Sequence, residues 1–149
     1  MVLVVVLLVI AIAYYVLVYN AAKPLSIVGF ADDNVVIALN GVNIVSNNGW
    51  NKQYSWSGTA KSGDTILMTV TNTGGPGGLI CKISFDGVDF VSSPSLFQTK
   101  VSMSAMSDAN VKTWWSADNI SALGGAKWIW SGTGVDSAQT VNTFTFVLP

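Results

Sequence analysis

The ionic and thiol side chains of this chain are eight acids, seven bases and one cysteine in 149 residues. Every acid is Asp and every base is Lys, with no Glu, Arg or His anywhere. Two carboxylate pairs have spacing that could do chemistry: adjacent Asp32 and Asp33, and Asp86 with Asp89. Either could offer oxygens to Ca²⁺ or act as an acid and base pair, but neither continues into a full metal loop. Adjacent aspartates are more often solvated turn residues. Asp32 and Asp33, placed before the first strand, are the metal candidates, and no cofactor is expected. Asn72 to Gly78 is rich in glycine, but a phosphate loop needs Lys and Ser or Thr after its last Gly, and here Leu79, Ile80 and Cys81 follow. The segment reads as a tight turn.

Cys81 sits in an apolar run, so a buried, inert thiol is expected, and a lone cysteine forms no disulfide within the chain. Asn119-Ile120-Ser121 matches the N-x-[ST] sequon, a short and weak signal. Six tryptophans are many for this length and could form a sugar-stacking platform, although large aromatics in small sandwiches more often fill the core. Trp50, Trp114 and Trp115 are the candidate interaction residues. Trp114 and Trp115 cannot both point inward if that stretch is extended.

The missing residue types exclude whole function classes. Without His there is no Ser-His-Asp or Cys-His catalysis and no imidazole metal ligand. Without Arg there is no bidentate phosphate clamp, and a net charge of -1 offers nucleic acid no basic field. The chain therefore reads as a non-enzyme that does not bind nucleic acid.

The elements that would position these residues fall into two parts. Met1 to Tyr19 has no charge, Gly, Pro or strongly polar side chain. Nineteen such residues as a helix span about 28 Å, which predicts a single membrane-spanning anchor. Leu3, Leu7 and Ile10 would face lipid, while Tyr14, Tyr15 and Tyr19 would lie near the headgroups, with the exit near Asn20. A signal peptide fits less well, since the segment lacks a basic start and Asn20-Ala21-Ala22 is a poor cleavage site. Orientation stays open, because only Lys23 flanks the span. Residues 1–22 are thus assigned to a transmembrane helix and its exit, and 23–149 to a β-sandwich domain.

In the second part, period-2 alternation broken by turn residues predicts antiparallel strands. Val35 to Leu39, Asn40-Gly41 and Val42 to Ser46 form a type I′ hairpin signal. Thr65 to Thr71, Leu79 to Phe85 and Val88 to Val91 follow, the last after an Asp86-Gly87 turn. Ser92 to Gly125 is less regular, with a strand expected at Leu96 to Met103 and a short helical turn capped by Asp118. Trp128 to Trp130 and Thr143 to Leu148 alternate again, with Phe144, Phe146 and Leu148 on the inward face.

Taken in order, Ala31-Asp32-Asp33, Asn40-Gly41, Gly49-Trp50, Gly63 to Ile66, Thr71 to Ile80 and Ala126 to Trp130 resemble the galactose-binding-like domains. Gly77 departs from the Ala often found there, and Asp64 from an Asn. The resemblance implies a jelly-roll sandwich of about eight strands, but it carries over no ligand residues. With the N-terminal anchor added, the layout is similar to minor structural (capsid) proteins of large double-stranded DNA viruses. That likeness implies a virion's internal membrane beneath the coat, with lipid and neighbouring coat or assembly proteins as partners. One alternative is a pilin-like filament subunit with the apolar helix in the fibre core. Another is a membrane-tethered carbohydrate-binding module, with glycan as partner.

Overall fold

The computed structural model describes residues 2–97, 103–105, 123–131 and 140–149, and at Val2, Leu3, Val16, Tyr19, Met103 to Ala105 and Ser131 the backbone alone. Among the described residues, one helix precedes ten strands, which form two antiparallel sheets facing each other as a β-sandwich. The helix, α1, runs Val2–Tyr19, 18 residues or about 27 Å at the usual rise. No helix among the described residues is long and apolar enough to cross a membrane.

That overturns the transmembrane helix, and with it the single-pass location at a virion membrane. At about 27 Å, α1 falls short of the roughly 30 Å hydrocarbon layer. Leu7, Ile10, Tyr14 and Tyr15 lie on an exposed helix surface instead of forming an anchor. Leu3 and Tyr19 belong to the helix by backbone, and their side chains lie outside the described residues. The expected fold of about eight strands behind an anchor is therefore replaced by ten strands behind a helix that does not span.

The first sheet is built around β1 (Lys23–Asp32), which pairs on one side with β4 (Tyr54–Ala60) and on the other with β6 (Gly78–Phe85). Beyond β6 come β7 (Val88–Val91), β9 (Ile129–Ser131) and β8 (Met103–Ala105). The second sheet has the order β10 (Thr140–Val147), β5 (Thr65–Asn72), β2 (Asn34–Leu39), β3 (Val42–Asn48). The hairpin turn forms as its residues require, with Asn40 and Gly41 both at positive φ, 49° and 80°. β1 and β4 went unassigned in the sequence, although Leu25/Ile27 and Tyr54/Trp56 carry the alternation. The strand expected at Leu96 to Met103 does not start at Leu96, which closes a turn onto Ser93 (3.1 Å), and Met103 pairs with Ser131. That turn lets Phe97 plug the core edge-on against Phe144 and Phe146 at 5.9 and 6.1 Å. Residues 98–102 and Asp118 lie outside the described residues.

The alternation puts one apolar row from each of β1, β2, β5, β6 and β10 between the sheets. Leu25, Ile27 and Ala31 of β1 stand beside Phe85, Ile83 and Leu79 of β6, and all six are buried. Facing them, Ile37, Met68 and Phe144 line up across β2, β5 and β10. Phe144, Phe146 and Leu148 are all inward, as expected from their spacing. Trp128 and Trp130 fill the core, each 1% exposed.

Two glycines are explained by aromatic neighbours. In the inward row Tyr54, Gly29, Cys81, a methyl group on Gly29 would stand 2.2 Å from the Ile80 carbonyl oxygen and 2.5 Å from the Tyr54 hydroxyl. Absence of a side chain lets Tyr54 lie across β1 and reach β6. At Gly77, a Cβ would fall 2.5 Å from the buried Trp130 indole, so the bare backbone makes room for the ring. Gly29→Ala should destabilise the fold by about 1–3 kcal/mol or more, read as a lowered urea midpoint with an unchanged slope, because the nearest obstacle is backbone that cannot rotate away.

Candidate functional site

Asp32 and Asp33 do not precede the first strand; they carry the chain from β1 in one sheet to β2 in the other, across a cis peptide bond. Asp32 ends β1 and is buried, 8% exposed, while Asp33 lies at the rim. The Asp33 Oδ2 accepts from the Thr73 N–H at 2.8 Å and from the Thr73 hydroxyl. Its backbone is tied as well, donating to Thr71 O at 3.0 Å and accepting from Gly49 N at 2.8 Å. Burial pushes the Asp33 carboxyl up, but the Thr73 hydroxyl, the Asp32 side chain and the Thr73 N–H together outweigh it and hold the group below the usual carboxylate range.

The glycine-rich segment is organised by the same cluster. Asn72, fully buried, donates from Nδ2 to Gly75 O at 3.0 Å and accepts from Gly74 N at 3.1 Å. Gly75 takes φ +82°, which favours glycine. The turn is thus held from within by one asparagine, and Asp33 clasps its first residue. Asp33 thus fastens the crossover out of β1 to the turn that follows β5.

The second carboxylate pair is neutralised locally. Asp86 meets Lys23 at 2.6 Å, and Asp89 accepts from Ser84 and lies 3.4 Å from Lys82. No group of three or more acidic, thiol or imidazole side chains converges on a metal-sized space among the described residues.

Cys81 is buried, as its apolar run implied, and burial pushes its thiol up to about 12, with the Tyr54 hydroxyl only partly offsetting this. Burial, with Cys81 beside it, raises the Tyr54 hydroxyl well above its ordinary value too. Tyr54 donates weakly to Ile80 O at 3.5 Å. Both groups stay neutral at any ordinary pH.

Trp50 stands on the loop joining β3 to β4 and is 47% exposed. The loop is braced by Lys52 N to Gly49 O at 3.0 Å and by the Asn47 amide donating to Lys52 O at 2.8 Å. Beside it an open cleft of about 370 Å³ separates Ile44 to Asn47 of β3 from Gln53 to Ser55. Trp50 is not part of its wall. Trp114, Trp115 and the Asn119 sequon lie outside the described residues.

Among the described residues, α1 presents a continuous run of exposed apolar side chains. Every described large apolar side chain from Val4 to Val18 is exposed, between 46% at Val6 and 74% at Leu17. The helix carries no acid in its first turn, no base in its last, and no polar face. Such a surface offers contact and burial.

Sequence reasoning also missed Ser92, which is fully buried. Its hydroxyl donates to Lys127 O at 2.7 Å and accepts from Cys81 N at 3.1 Å, so it joins β6 to the segment entering β9. A lone serine after a short strand gives no pattern that distinguishes this from a loop.

Asp33→Asn should lower stability by about 1 kcal/mol at pH 7, the low end for a hydrogen-bonded charge because the rim is wet. A depressed carboxyl stabilises fully above its unfolded value near 3.9, and the gain fades as pH falls through the folded value. Urea curves of both proteins should therefore converge below about pH 4. Cys81 should resist maleimide in the native chain at pH 8 and react at once in denaturant; native labelling on the same timescale would contradict its burial. Compared with known protein families, curated proteins and solved structures, the chain matches none.

Proposed function

We infer that this protein is a non-enzymatic structural subunit whose apolar helix packs with the helices of further copies and whose β-sandwich is displayed around that core. The observation that carries the reading is the exposure of every described large apolar side chain of α1, with no polar side. A helix with one apolar stripe needs one partner, but a helix apolar all round is stable in water only when surrounded. A single groove would cover one face and leave the others wet. Copies of the same helix supply apolar surface of equal length on every side, and its lack of charge selects no acidic or basic partner.

This is the filament-like reading, with the helix in a protein core. It keeps neighbouring assembly proteins as the class of partner. The sandwich suits the role of a displayed module, with charged pairs such as Lys23–Asp86 on its surface and its only cysteine inert. The carbohydrate-binding alternative gains little, since Trp50 stands apart from the cleft wall.

Burial of one Leu or Ile contributes about 1.5–3 kcal/mol, so charging two such positions should weaken association by about a hundredfold or more. The full chain should form particles of many copies by light scattering and electron microscopy. Leu8→Asp with Ile12→Asp should reduce them to species no larger than a dimer while the β-sheet circular dichroism is unchanged. A wild-type chain no larger than a dimer at micromolar concentration would overturn the reading, as would particles that the double variant leaves intact.

A further inference from the structure

β4, Tyr54–Ala60, is the outermost strand of the first sheet among the described residues, with β1 on its only paired side. Its sequence, YSWSGTA, contains no charge and no proline, the usual devices that keep a free strand edge from pairing with another chain. Ser55, Ser57, Gly58 and Thr59 are exposed. Of the second sheet's outer strands, β3 is rich in asparagine and pairs with β2 through a register shift at Ile37/Ala38, whereas β10 shares the lack of charge and proline.

The strand is complementary to itself when reversed. Antiparallel pairing centred on Ser57 sets Tyr54 opposite Ala60 and Trp56 opposite Gly58 on the inward face. On the outward face it sets Ser55 opposite Thr59, with Ser57 opposite its own copy. Each large aromatic thus meets a small residue, and each hydroxyl meets a hydroxyl. Directly opposed residues are the pairs that interact most strongly across strands, and no like charges are brought together. The aromatic geometry agrees. The Trp56 indole already lies along its own strand, 2.5 Å from where a Gly58 side chain would begin, so the glycine is a platform for that ring. In the pair, the two indoles become diagonal neighbours within aromatic reach.

We propose that β4 is a homodimerisation edge, pairing antiparallel with β4 of a second copy about a two-fold axis at Ser57, so that the two first sheets join into one. Such an isologous contact uses the same patch on both chains and closes on itself. It is separate from the helix contact, and a chain with both can link helix-held copies laterally.

The test uses the full chain carrying Ser57→Cys, since Cys81 is buried and does not compete. Opposed Cα atoms in an antiparallel pair lie about 4.5–5.5 Å apart, within disulfide range, so mild oxidation should link two Ser57→Cys chains. Ser55→Cys is the register control, because its two copies would lie about 13 Å apart along the strands. The Ser57→Cys yield should exceed that control at least about tenfold, and Ser55→Cys chains mixed with Thr59→Cys chains should link to each other. Equal yields from Ser57→Cys and Ser55→Cys, or no link from either, would overturn the proposal. Repeating the test in the Leu8→Asp/Ile12→Asp background separates the two interfaces. Large wild-type particles without the Ser57→Cys link would sink the edge pairing and leave the helix reading standing. A Ser57→Cys-linked dimer from a chain that never forms larger particles would do the reverse.

Discussion

The pairing of β1 with β6 holds the fold together. It aligns Leu25 with Phe85, Ile27 with Ile83 and Ala31 with Leu79, giving the first sheet a continuous apolar inner surface. These residues lie far apart in sequence, so the contact encloses the hairpin and β5 within the loop it closes, and the second sheet must form inside that constraint. Everything that flanks the pair is adjusted to it. Gly29 is bare so that Tyr54 can cross β1, and Ser92 stands where β6 must be joined to the chain entering β9.

Two polar side chains at the sheet crossings hold a crossing or a turn. Asp33 clasps Thr73 where the chain changes sheet, and Asn72 satisfies the glycine-rich turn from inside. Buried polar atoms are expensive unless paired, and a chain with so few charged residues has few ways to pair them. Asp33, Asp64, Asp86 and Asp89 therefore act as local fasteners, and the proposed contacts fall on an apolar helix and a neutral strand edge.

Much of the sandwich was legible in the residues. Asn40-Gly41 has one good turn to make, and the alternation of Thr143 to Leu148 has one inward face. β1 and β4 were harder to see, because glycines interrupt both and their partners are distant. Leu96 illustrates the opposite error, an apolar, β-prone segment that turns instead because Phe97 has a ready place between Phe144 and Phe146. The apolar N-terminus was legible as a helix, but not in what it meets.

Local chemistry alone determined the turns, the strand alternation, the inert cysteine and the exclusion of histidine- or arginine-dependent functions, since each depends on a residue type or a short-range period. Only the tertiary structure decided that Asp32 and Asp33 link two sheets, that Gly77 makes room for Trp130 and that β4 is left at an edge. It also assigned α1 to exposed surface in place of a membrane span. These are outcomes of which strands pair across long loops, and pairing is settled by the packing of the whole core, which no short window of residues contains.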